Sequence, residues 1–340
     1  MKNPQATIRD LALKLNISIS TVSRALRNAP DVNPETKKAV LELAKKLHYE
    51  PNRVAQSLRI KKTNTIGVVV PEIAMHFFSS AISGIQEYAA KHDYSIMICQ
   101  SMESLRTEKS NIHMLVSNRV DGLLISLSSE TKDIEHLESL IAKQIPIVLF
   151  DRITDELDVS KVVVDDHNGA FRGVEHLIKT GCKRIAYIGG PDGLYVSDQR
   201  LRGYRDAIRN YNLELDEELI MHCRDFHNDP TEAARTLLNR PNRPDAIFCM
   251  NDPVAILAMQ VLKEKGIAIP NEVSLVGFTN EPVSQFIEPS LTTIAQPAYL
   301  MGQSAAKLFI EQMDNKEDFK PITKVLPTEL IIRNSTKRIN

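Results

Sequence analysis

The chain has 340 residues, of which 43% are hydrophobic and 25% are charged, as in an ordinary globular protein. This length is too great for a single hydrophobic core and predicts a small domain joined to a larger, two-lobed one. The sequence has no apolar run of about 18 residues, which a membrane-spanning helix requires, and its first residues lack the apolar stretch of a secretion signal. We therefore expect a cytoplasmic protein.

The four cysteines, Cys99, Cys182, Cys223 and Cys249, are far apart in the sequence, and none belongs to a CxxC pair. Scattered cysteines are typical of buried thiols in a reducing compartment and argue against a disulfide framework or a zinc site. We expect neither a metal nor a cofactor.

The net charge is only −1, but the charges are unevenly distributed along the chain. Residues 1–62 contain 13 Lys and Arg against 5 Asp and Glu, whereas residues 63–340 contain 29 against 38. The basic end is the part of such a molecule that a polyanion attracts. The alternative is a solvated basic tail without a partner, which the pattern of the first sixty residues disfavours.

The first sixty residues predict three short helices. Thr7-x-x-Asp10 has the pattern of a capping box, Ser18 is expected to cap a second helix, Asn33-Pro34 to start a third, and Pro51 to stop it. Apolar residues recur at helical spacing in each segment. They are Ile8, Leu11, Ala12 and Leu15, then Val22, Ala25 and Leu26, then Val40, Leu43, Ala44 and Leu47.

The second predicted helix carries Ile19, Ser20, Thr21, Ser23 and Arg24 away from its apolar residues. Small polar groups and a guanidinium are suited to base edges and phosphates. Two short helices joined by a three- or four-residue turn form a helix-turn-helix unit, whose second helix enters the major groove of DNA. The sequence therefore predicts an all-α DNA-binding head over residues 1–50.

Residues 51–62 are expected to form a hinge helix and linker. Asn52 is suited to cap a helix about two turns long, and helices that short are not stable alone in water. We expect the segment to become helical when a second copy and DNA stabilise it. Leu58 would then be free to insert between base pairs in the minor groove; the alternative is that Leu58 packs on the third helix.

Residues 63–340 alternate apolar strand runs with amphipathic helices, which predicts α/β structure with parallel sheets covered on both faces. The predicted strands are residues 66–71, 94–99, 121–126, 146–151, 161–166, 184–190, 245–250 and 273–278. The segment Asn118-Arg119-Val120-Asp121 recurs as Asn242-Arg243-Pro244-Asp245, which indicates two similar lobes. Ligands of such lobes bind at the carboxyl ends of the strands, in the cleft between the lobes.

Residues that follow the predicted strands are therefore candidates for binding a small molecule. They are His76, Phe77 and Phe78 after the first strand, Ser126 and Ser128 after the third, and Asp151 and Arg152 after the fourth. The two aromatic rings are suited to stacking on a ligand, but at least one of them, Phe78 in particular, is equally suited to the core. Asp151 is alternatively a residue that terminates its strand.

The first sixty residues resemble the head and hinge of the lactose/galactose-repressor family of bacterial transcription regulators. The matching runs are TIRDLALKLNISISTVSRALRN and VNPETKKAVLELAKKLHYEPNRVAQSL, and the resemblance covers essentially the whole chain. It implies that Ile19, Ser20 and Arg24 read bases in the major groove. It implies phosphate-side contacts for Thr7, Ser18, Thr21, Ser23, Asn28 and Asn52, and DNA contacts from the hinge for Arg53, Ala55, Gln56 and the intercalating Leu58. Gln56 stands where many members have arginine.

For the body, the resemblance implies the type I fold of the periplasmic sugar-binding proteins. An N-lobe is expected from residues 63–162 and 293–324, and a C-lobe from residues 163–292 and 325–340. The resemblance also implies effector-binding positions at Asp165, Arg200, Phe226, Asn251, Asp252, Thr279, Asn280 and Gln296. Asp165 and Asp252 are alternatively helix caps.

One segment departs from the family pattern. Sugar-responsive relatives have G-[FY]-D-[DN] after the last predicted strand, whereas this chain has Gly277-Phe278-Thr279-Asn280-Glu281. The aspartate that would hold sugar hydroxyls is replaced by Thr279, which favours a phosphorylated, acidic or otherwise different carbohydrate over a simple neutral hexose.

The sequence thus predicts a transcriptional repressor that binds a pseudo-palindromic DNA operator as a homodimer, under the control of a sugar, sugar acid or sugar phosphate. An enzyme is disfavoured, and no catalytic residue is expected, because the chain lacks GxSxG, GxxxxGK[ST], HExxH and GxGxxG motifs. A secreted solute-binding protein is disfavoured by the basic head. Control by a partner protein stays open.

Overall fold

The computed structural model divides the chain into two compact units, Met1–Thr63 and Asn64–Asn340. It describes residues 6–47, 49, 62–224, 229–315 and 318–337. The predicted hinge helix therefore lies outside the described residues. Within the described part of the chain, no helix is both long and apolar enough to cross a membrane.

The described part of the first unit contains the helices α1 (Ile8–Leu15), α2 (Ile19–Leu26) and α3 (Pro34–Lys46). Each begins at the predicted cap. The Thr7 side chain accepts from the Asp10 N–H in a complete capping box, and the Ser18 side chain accepts from the Thr21 N–H. The Asn33 side chain accepts from the Glu35 N–H, followed by proline in the first turn. Local capping chemistry thus sets the register of all three helices.

The core of the first unit comes from the apolar faces of the three helices. Its fully or nearly fully buried members are Leu11, Ala12, Val22, Ala25, Val40 and Ala44. One expectation was wrong, because α3 ends at Lys46 and not at Pro51. The Tyr49 N–H donates to the Ala44 carbonyl, which closes the last turn, and Tyr49 packs on the same core.

The second unit contains two sheets, one in each lobe. The N-lobe sheet has the strand order β11-β5-β4-β3-β1-β2 and is parallel throughout. Its strands are β1 (Thr65–Val70), β2 (Ser95–Gln100), β3 (Gly122–Ile125), β4 (Ile147–Phe150), β5 (Ser160–Val164) and β11 (Thr323–Leu326). Separate apolar clusters cover the two faces of this sheet, as predicted for strands buried on both sides.

The C-lobe sheet repeats this order as β12-β10-β9-β8-β6-β7. Its strands are β6 (Ile185–Gly189), β7 (Ile220–His222), β8 (Ala246–Cys249), β9 (Ser274–Thr279), β10 (Thr292–Ala295) and β12 (Glu329–Ile331). Strand β12 runs antiparallel to β10, and the other pairs are parallel. The equivalent strand orders fit the two similar lobes that the sequence repeat indicated.

Helices cover both sheets. In the N-lobe they are α4 (His76–Lys91), α5 (Leu105–Ser117), α6 (Glu135–Ala142) and α11 (Ala298–Asp314). In the C-lobe they are α7 (Asp166–Lys179), α8 (Tyr195–Asn210), α9 (Asp229–Leu238) and α10 (Asp252–Glu264), with short 3₁₀ turns at Glu217–Leu219 and Pro282–Gln285. Helices α4 and α11 pack backbone to backbone, because a Cβ at Gly302 would stand 1.9 Å from the Ala81 carbonyl oxygen.

The chain crosses between the lobes in three places. It leaves the N-lobe after β5, returns between β10 and α11, and leaves again between β11 and β12. The expected segment ends at residues 162, 292 and 324 each fall two or three residues early, because β5, β10 and β11 run on to Val164, Ala295 and Leu326. Hydrophobic runs mark where a strand is buried and not the residue at which the chain changes sheet.

In both sheets the strand order reverses beside the first strand of the lobe, with β1 between β2 and β3 and β6 between β7 and β8. Ligands of open α/β sheets bind outside the carboxyl ends of the strands at such a switch point. The fold therefore directs attention to the segments after β1, β2, β3, β6, β7, β8 and β9.

Candidate DNA-binding surface and effector cleft

Helix α2 presents an exposed surface opposite its buried residues Val22 and Ala25. Ile19 is 45% exposed although it is apolar, and the Arg24 side chain is 49% exposed. Ser20 is exposed as well. An apolar, a hydroxyl and a guanidinium side chain thus share one solvent-facing side of a short helix, which is the chemistry that major-groove readout uses.

Hydroxyl groups at the start of α2 are bonded to one another. The Ser18 Oγ lies 2.7 Å from the Ser20 Oγ and 2.8 Å from the Thr21 Oγ1. The Arg27 guanidinium donates to the Ser23 carbonyl and hydroxyl oxygens at 3.2 Å. These bonds orient the predicted phosphate-side residues, so that a phosphate oxygen would meet hydroxyls already directed by their neighbours.

Arg24 forms an ion pair with Asp31, which lies in the turn between α2 and α3. Both side chains are about half exposed, so the pair contributes little to folding stability. Its effect is to restrict the conformations of the Arg24 guanidinium at the surface of the head.

Thr7 and Asn28, two further predicted DNA contacts, also have local structural roles. The Thr7 hydroxyl and backbone N–H both donate to the Asp10 carboxylate, and these bonds lower the pKa of Asp10. Asn28 has φ 62°, a left-handed conformation that asparagine tolerates, where the chain leaves α2. The predicted hinge contacts Asn52, Arg53, Ala55, Gln56 and Leu58 lie outside the described residues.

A cleft of about 1260 Å³ lies between the two lobes of the second unit. Its wall is built from the segments that follow β1, β2, β3 and β4 in the N-lobe and β6, β7, β8 and β9 in the C-lobe. Of the predicted effector residues, His76, Arg152 and Asn251 belong to this wall.

Unusual backbone conformations occur in the wall and next to it. Met102 and Glu103 both have left-handed φ values, 53° and 57°. Thr279, at the end of β9 and next to the wall, has φ 119°, which is unusual for a β-branched residue. Strain of this kind is concentrated at functional sites in folded proteins.

Phe77 and Phe78 belong to the N-lobe core and not to the cleft wall. They are 5% and 2% exposed and pack edge to face with ring centroids 5.2 Å apart. His76 starts α4 and faces the cleft, whereas the next two positions of the helix turn toward the sheet. The Arg152 guanidinium lies 5.7 Å from the Phe78 ring centroid, so Phe78 supports the wall from behind.

Ser126, Ser128 and Asp151 lie behind the N-lobe wall. The Ser128 N–H donates to the buried Glu108 carboxylate at 2.7 Å, which holds the loop after β3. The Ser126 Oγ is buried without a hydrogen-bond partner among the described residues. Burial raises the pKa of Asp151 to about 6, while the adjacent Arg152 opposes this shift.

Arg200 is buried in the C-lobe. Its guanidinium donates to the Asp166 carboxylate at 2.8 Å and to the Met250 carbonyl at 2.7 Å, and it lies 3.8 Å from the centroid of the Phe278 ring. Burial raises the pKa of Asp166, and Arg200 opposes this shift. The arginine thus joins α7, α8 and the residue that follows β8.

Asn251, and not Asp252, caps α10, because the Asn251 side chain accepts from the Val254 N–H. The buried Asp252 carboxylate accepts from the Glu281 N–H at 2.8 Å and from the Ser284 and Thr293 hydroxyls at 2.6 and 2.5 Å. Burial raises the pKa of Asp252 to about 6 against these bonds. Asp252 therefore fixes the loop after β9.

The other predicted C-lobe positions lie around the crossovers. Asp165 caps α7 by accepting from the Asn168 N–H, and the Asn280 side chain accepts from Arg333 at 2.7 Å. Gln296 lies between β10 and α11, and its Nε2 is buried without a partner among the described residues. Phe226 lies outside the described residues.

Some charged residues of the wall were not predicted from the sequence. Glu103 accepts from the Arg152 Nη1 at 2.7 Å on both carboxylate oxygens and from the Ser129 N–H at 2.9 Å. Burial acts to raise the pKa of Glu103, but these bonds outweigh it and the pKa is lowered. Glu281 was also missed, although it lies only two residues after the end of β9. Glu103 and Glu281 both lie shortly after the end of a strand, as several of the predicted residues do. That position is the signal by which the sequence could have identified them.

Comparison with known proteins gives the same picture over the whole chain. Residues 7–52 match the model of bacterial regulatory proteins of the lacI family, and residues 174–336 match a periplasmic binding protein-like domain. The HTH-type transcriptional repressor CytR of Escherichia coli (strain K12) is 34% identical over 336 residues, which cover 98% of this chain and 97% of that protein. The chain belongs to the lacI family of bacterial regulatory proteins.

Solved structures of related proteins have the same architecture. The lac repressor dimer bound to operator and the anti-inducer ONPF has a TM-score of 0.86 at 27% identity, covering 97% of this chain and 99% of that one. The complex of the transcriptional regulator CelR with cellobiose has a TM-score of 0.75 at 30% identity, with the same two coverages. This lacI-family chain is accordingly a DNA-binding transcriptional regulator and not an enzyme.

Proposed function

We propose that the protein is a homodimeric repressor that binds a pseudo-palindromic operator and is controlled by a small molecule, a sugar or sugar derivative, held in the cleft between the lobes. Ile19, Ser20 and Arg24 read bases in the major groove, and the hinge leucine Leu58 inserts in the minor groove. A regulator of this kind acts where the bacterial chromosome is, so we expect it in the cytoplasm.

The exposed side of α2 is the observation that carries the DNA-binding part of the proposal. Ile19 is an exposed apolar residue next to Ser20, and Arg24 is held near the surface by Asp31. Arginine pairs in bidentate fashion with guanine, and an apolar side chain contacts the thymine methyl group. The surrounding hydroxyls of Ser18, Thr21 and Ser23 suit the flanking phosphates.

Exposed apolar side chains support the dimer. Strand β2 is an edge strand, and Met97 and Ile98 on it are about 40% exposed. In the C-lobe, Val283 and Phe286 are 46% and 78% exposed. Exposed apolar residues on an edge strand or a surface turn are typical of an interface, and the related lac repressor binds its operator as a dimer. We assign these surfaces to a second copy of the chain.

The cleft supports the small-molecule part. Its volume is somewhat above the usual range for sites that bind drug-sized ligands. The related regulator CelR forms a complex with cellobiose. A ligand that prefers one angle between the lobes shifts the equilibrium toward it. In the dimer, this changes the spacing of the two hinges, and a few kcal/mol of differential binding suffice to order or melt a marginal helix.

The experiment compares operator binding with random-sequence binding for the wild type and Arg24→Ala. An operator is first selected from a random DNA pool with the full-length protein, and affinities are then measured by fluorescence anisotropy. Removing Arg24 is expected to weaken operator binding by about 10–100-fold, the value of one good bidentate base contact. Binding to random DNA should fall much less.

Lys45→Ala is the matched control, because Lys45 is an exposed cation on α3, away from the α2 surface. It should weaken operator and random DNA equally and slightly. Equal losses on both DNAs for Arg24→Ala would remove Arg24 from base reading. Failure to select any palindromic site would refute the proposed function as a whole.

A further inference from the structure

Several strong anion-binding groups of the cleft are already matched by a carboxylate or an oxygen of the protein. Because this pattern limits the charge of the small molecule that the cleft can hold, the inference drawn from it rests on the proposed function and narrows the class of effector. The groups concerned are two helix N-termini, Arg152 and His222 on the wall, and Arg200 behind it.

The N-terminus of α4 is the first of these groups. It opens on the cleft at His76, and its cap residue Met75 supplies no side-chain oxygen. A bare helix N-terminus is a natural site for an anion. Here Glu281 of the opposite lobe takes that position: burial raises the pKa of Glu281, and the neighbouring His76 and Phe77 N–H pull it down.

The second helix N-terminus, that of α10, has few donors left. The Asn251 side chain accepts from the Val254 N–H at 2.9 Å, and Pro253 has no N–H to offer. Asp252 in the first turn adds a buried carboxylate. An incoming phosphate would find the donors occupied and a negative charge close by.

Three further side chains are paired with carboxylates in the same way. Arg152 is bonded to both oxygens of Glu103 at 2.7 Å. The His222 Nδ1 lies 2.7 Å from the Asp192 carboxylate, and the Arg200 Nη2 lies 2.7 Å from Asp166. An anionic ligand would have to displace a carboxylate from each of these groups before it gained a charged bond.

The described wall as a whole is acidic. It contains the carboxylates Glu72, Glu103, Glu130, Asp192 and Glu281 but, of Lys and Arg, only Lys132, Arg152 and Arg224. In addition, the Glu281 Oε1 is buried and has no hydrogen-bond partner among the described residues. A buried acceptor without a donor is costly, and a ligand hydroxyl or amine removes that cost.

We propose that the effector carries no negative charge and is held through hydroxyl or amino groups that donate to the Glu281 carboxylate. Sugar-responsive relatives have an aspartate acceptor at the position of Thr279. In this chain Glu281, which lies two positions after Thr279 in the loop after β9, supplies that acceptor instead. Asp252, which accepts from the Glu281 N–H, positions this loop. The class is a neutral or amino sugar, in contrast to the acidic or phosphorylated carbohydrates that Thr279 alone favoured.

The test is isothermal titration calorimetry of the full-length protein with matched probes. The neutral and amino probes are cellobiose, D-glucose, D-ribose and D-glucosamine. The anionic probes are the counterparts cellobionate, D-glucose 6-phosphate, D-gluconate, D-ribose 5-phosphate and D-glucosamine 6-phosphate, together with inorganic phosphate, at constant ionic strength. At least one of the first set should bind, and each anionic counterpart should bind at least tenfold more weakly.

Glu281→Gln keeps the shape of the side chain and removes its charge. It should weaken the bound neutral or amino probe about tenfold or more, and bring the affinity of its anionic counterpart closer to that of the neutral probe. Glu281→Asp should keep the preference for uncharged probes. Glu214→Gln, an exposed carboxyl outside the cleft wall, is the control and should change neither affinity.

Tighter binding of an anionic probe than of its neutral partner would overturn the proposal, as would unchanged affinities in Glu281→Gln or a panel in which no uncharged probe binds. Operator binding is measured on the same preparations. If operator binding persists while the charge preference is reversed, only this inference fails; if operator binding is absent, the proposed function itself fails.

Discussion

His176 is a buried titratable residue of the C-lobe. It is 4% exposed on α7, and its Nε2 is hydrogen-bonded to the Thr336 Oγ1 at 2.9 Å. Thr336 in turn is bonded to Thr292 on β10 at 2.9 Å. This chain of bonds fixes the last described residues of the chain on the C-lobe sheet.

Burial lowers the pKa of His176, so the unfolded chain binds a proton more readily than the folded one. Its contribution to stability is therefore complete above the ordinary histidine pKa of about 6.5 and is lost as the pH falls below that value. We expect the melting temperature to fall more between pH 7.5 and 5.5 in the wild type than in His176→Gln, measured by calorimetry.

Asp151 and Asp252 titrate in the opposite sense. Burial raises the pKa of each to about 6, so their ionisation destabilises the fold as the pH rises from their ordinary value toward 6. Both groups are present in the wild type and in His176→Gln, and they cancel in the comparison. Identical pH profiles for the two proteins would show that His176 is not the group responsible.

At the scale of helices and strands, prediction succeeded where local chemistry decides the outcome. Thr7, Ser18 and Asn33 cap the helices that they were expected to cap, because an N-cap needs only neighbouring residues. The long apolar strands were also predicted correctly, because a run of apolar residues within the segment itself marks a buried strand. Strands β7, β10, β11 and β12 were missed, since these strands of three or four residues include polar side chains, depend on pairing with distant partners and leave no long apolar run.

The cleft was predictable in position but not in detail. Strand ends located His76 and Arg152 on its wall, and the family resemblance located Asn251. Phe77 and Phe78 follow His76 directly, yet the turn of α4 sends them into the core. Arg200 is held by Asp166, Met250 and Phe278, which are distant in sequence. Which side chain faces a cleft depends on tertiary contacts that spacing along the chain does not encode.

The cap of α3 gives a prediction at this scale. The Asn33 side chain accepts from the Glu35 N–H at 2.8 Å, and replacing such a cap by alanine costs about 0.5–2 kcal/mol. The first unit has a small core, so Asn33→Ala should noticeably increase opening of the head. We expect faster amide hydrogen exchange in α1–α3 and unchanged exchange in the body.

Lys38→Ala is the control for this prediction, because Lys38 is an exposed residue inside α3 and caps nothing. It should leave exchange in the head nearly unchanged. Equal protection of the head in Asn33→Ala and Lys38→Ala would mean that the cap does not limit the stability of the head.

For the whole molecule, the distribution of charge decides how it meets DNA. The basic residues 1–62 attract the duplex, while the acidic residues 63–340 are repelled from it. This polarity favours an orientation in which only the head approaches the phosphates. Because neutralised phosphates release condensed counterions, the affinity for DNA falls with salt, at a log–log slope of about −0.9 per phosphate contacted.

The same slope reports how many heads bind. If the exposed Met97 and Ile98 of β2 lie in the dimer interface, Ile98→Lys should yield monomers, which present one head in place of two. Sedimentation velocity would then show the smaller species, and anisotropy titrations from 50 to 200 mM KCl should give a slope about half that of the wild type.

The control is Lys307→Ala on α11, an exposed cation whose removal should leave both the dimer and the slope intact. A monomeric Ile98→Lys protein with the full wild-type slope would mean that a single head makes all the phosphate contacts, and a flat response in the wild type would contradict the electrostatic role of the head.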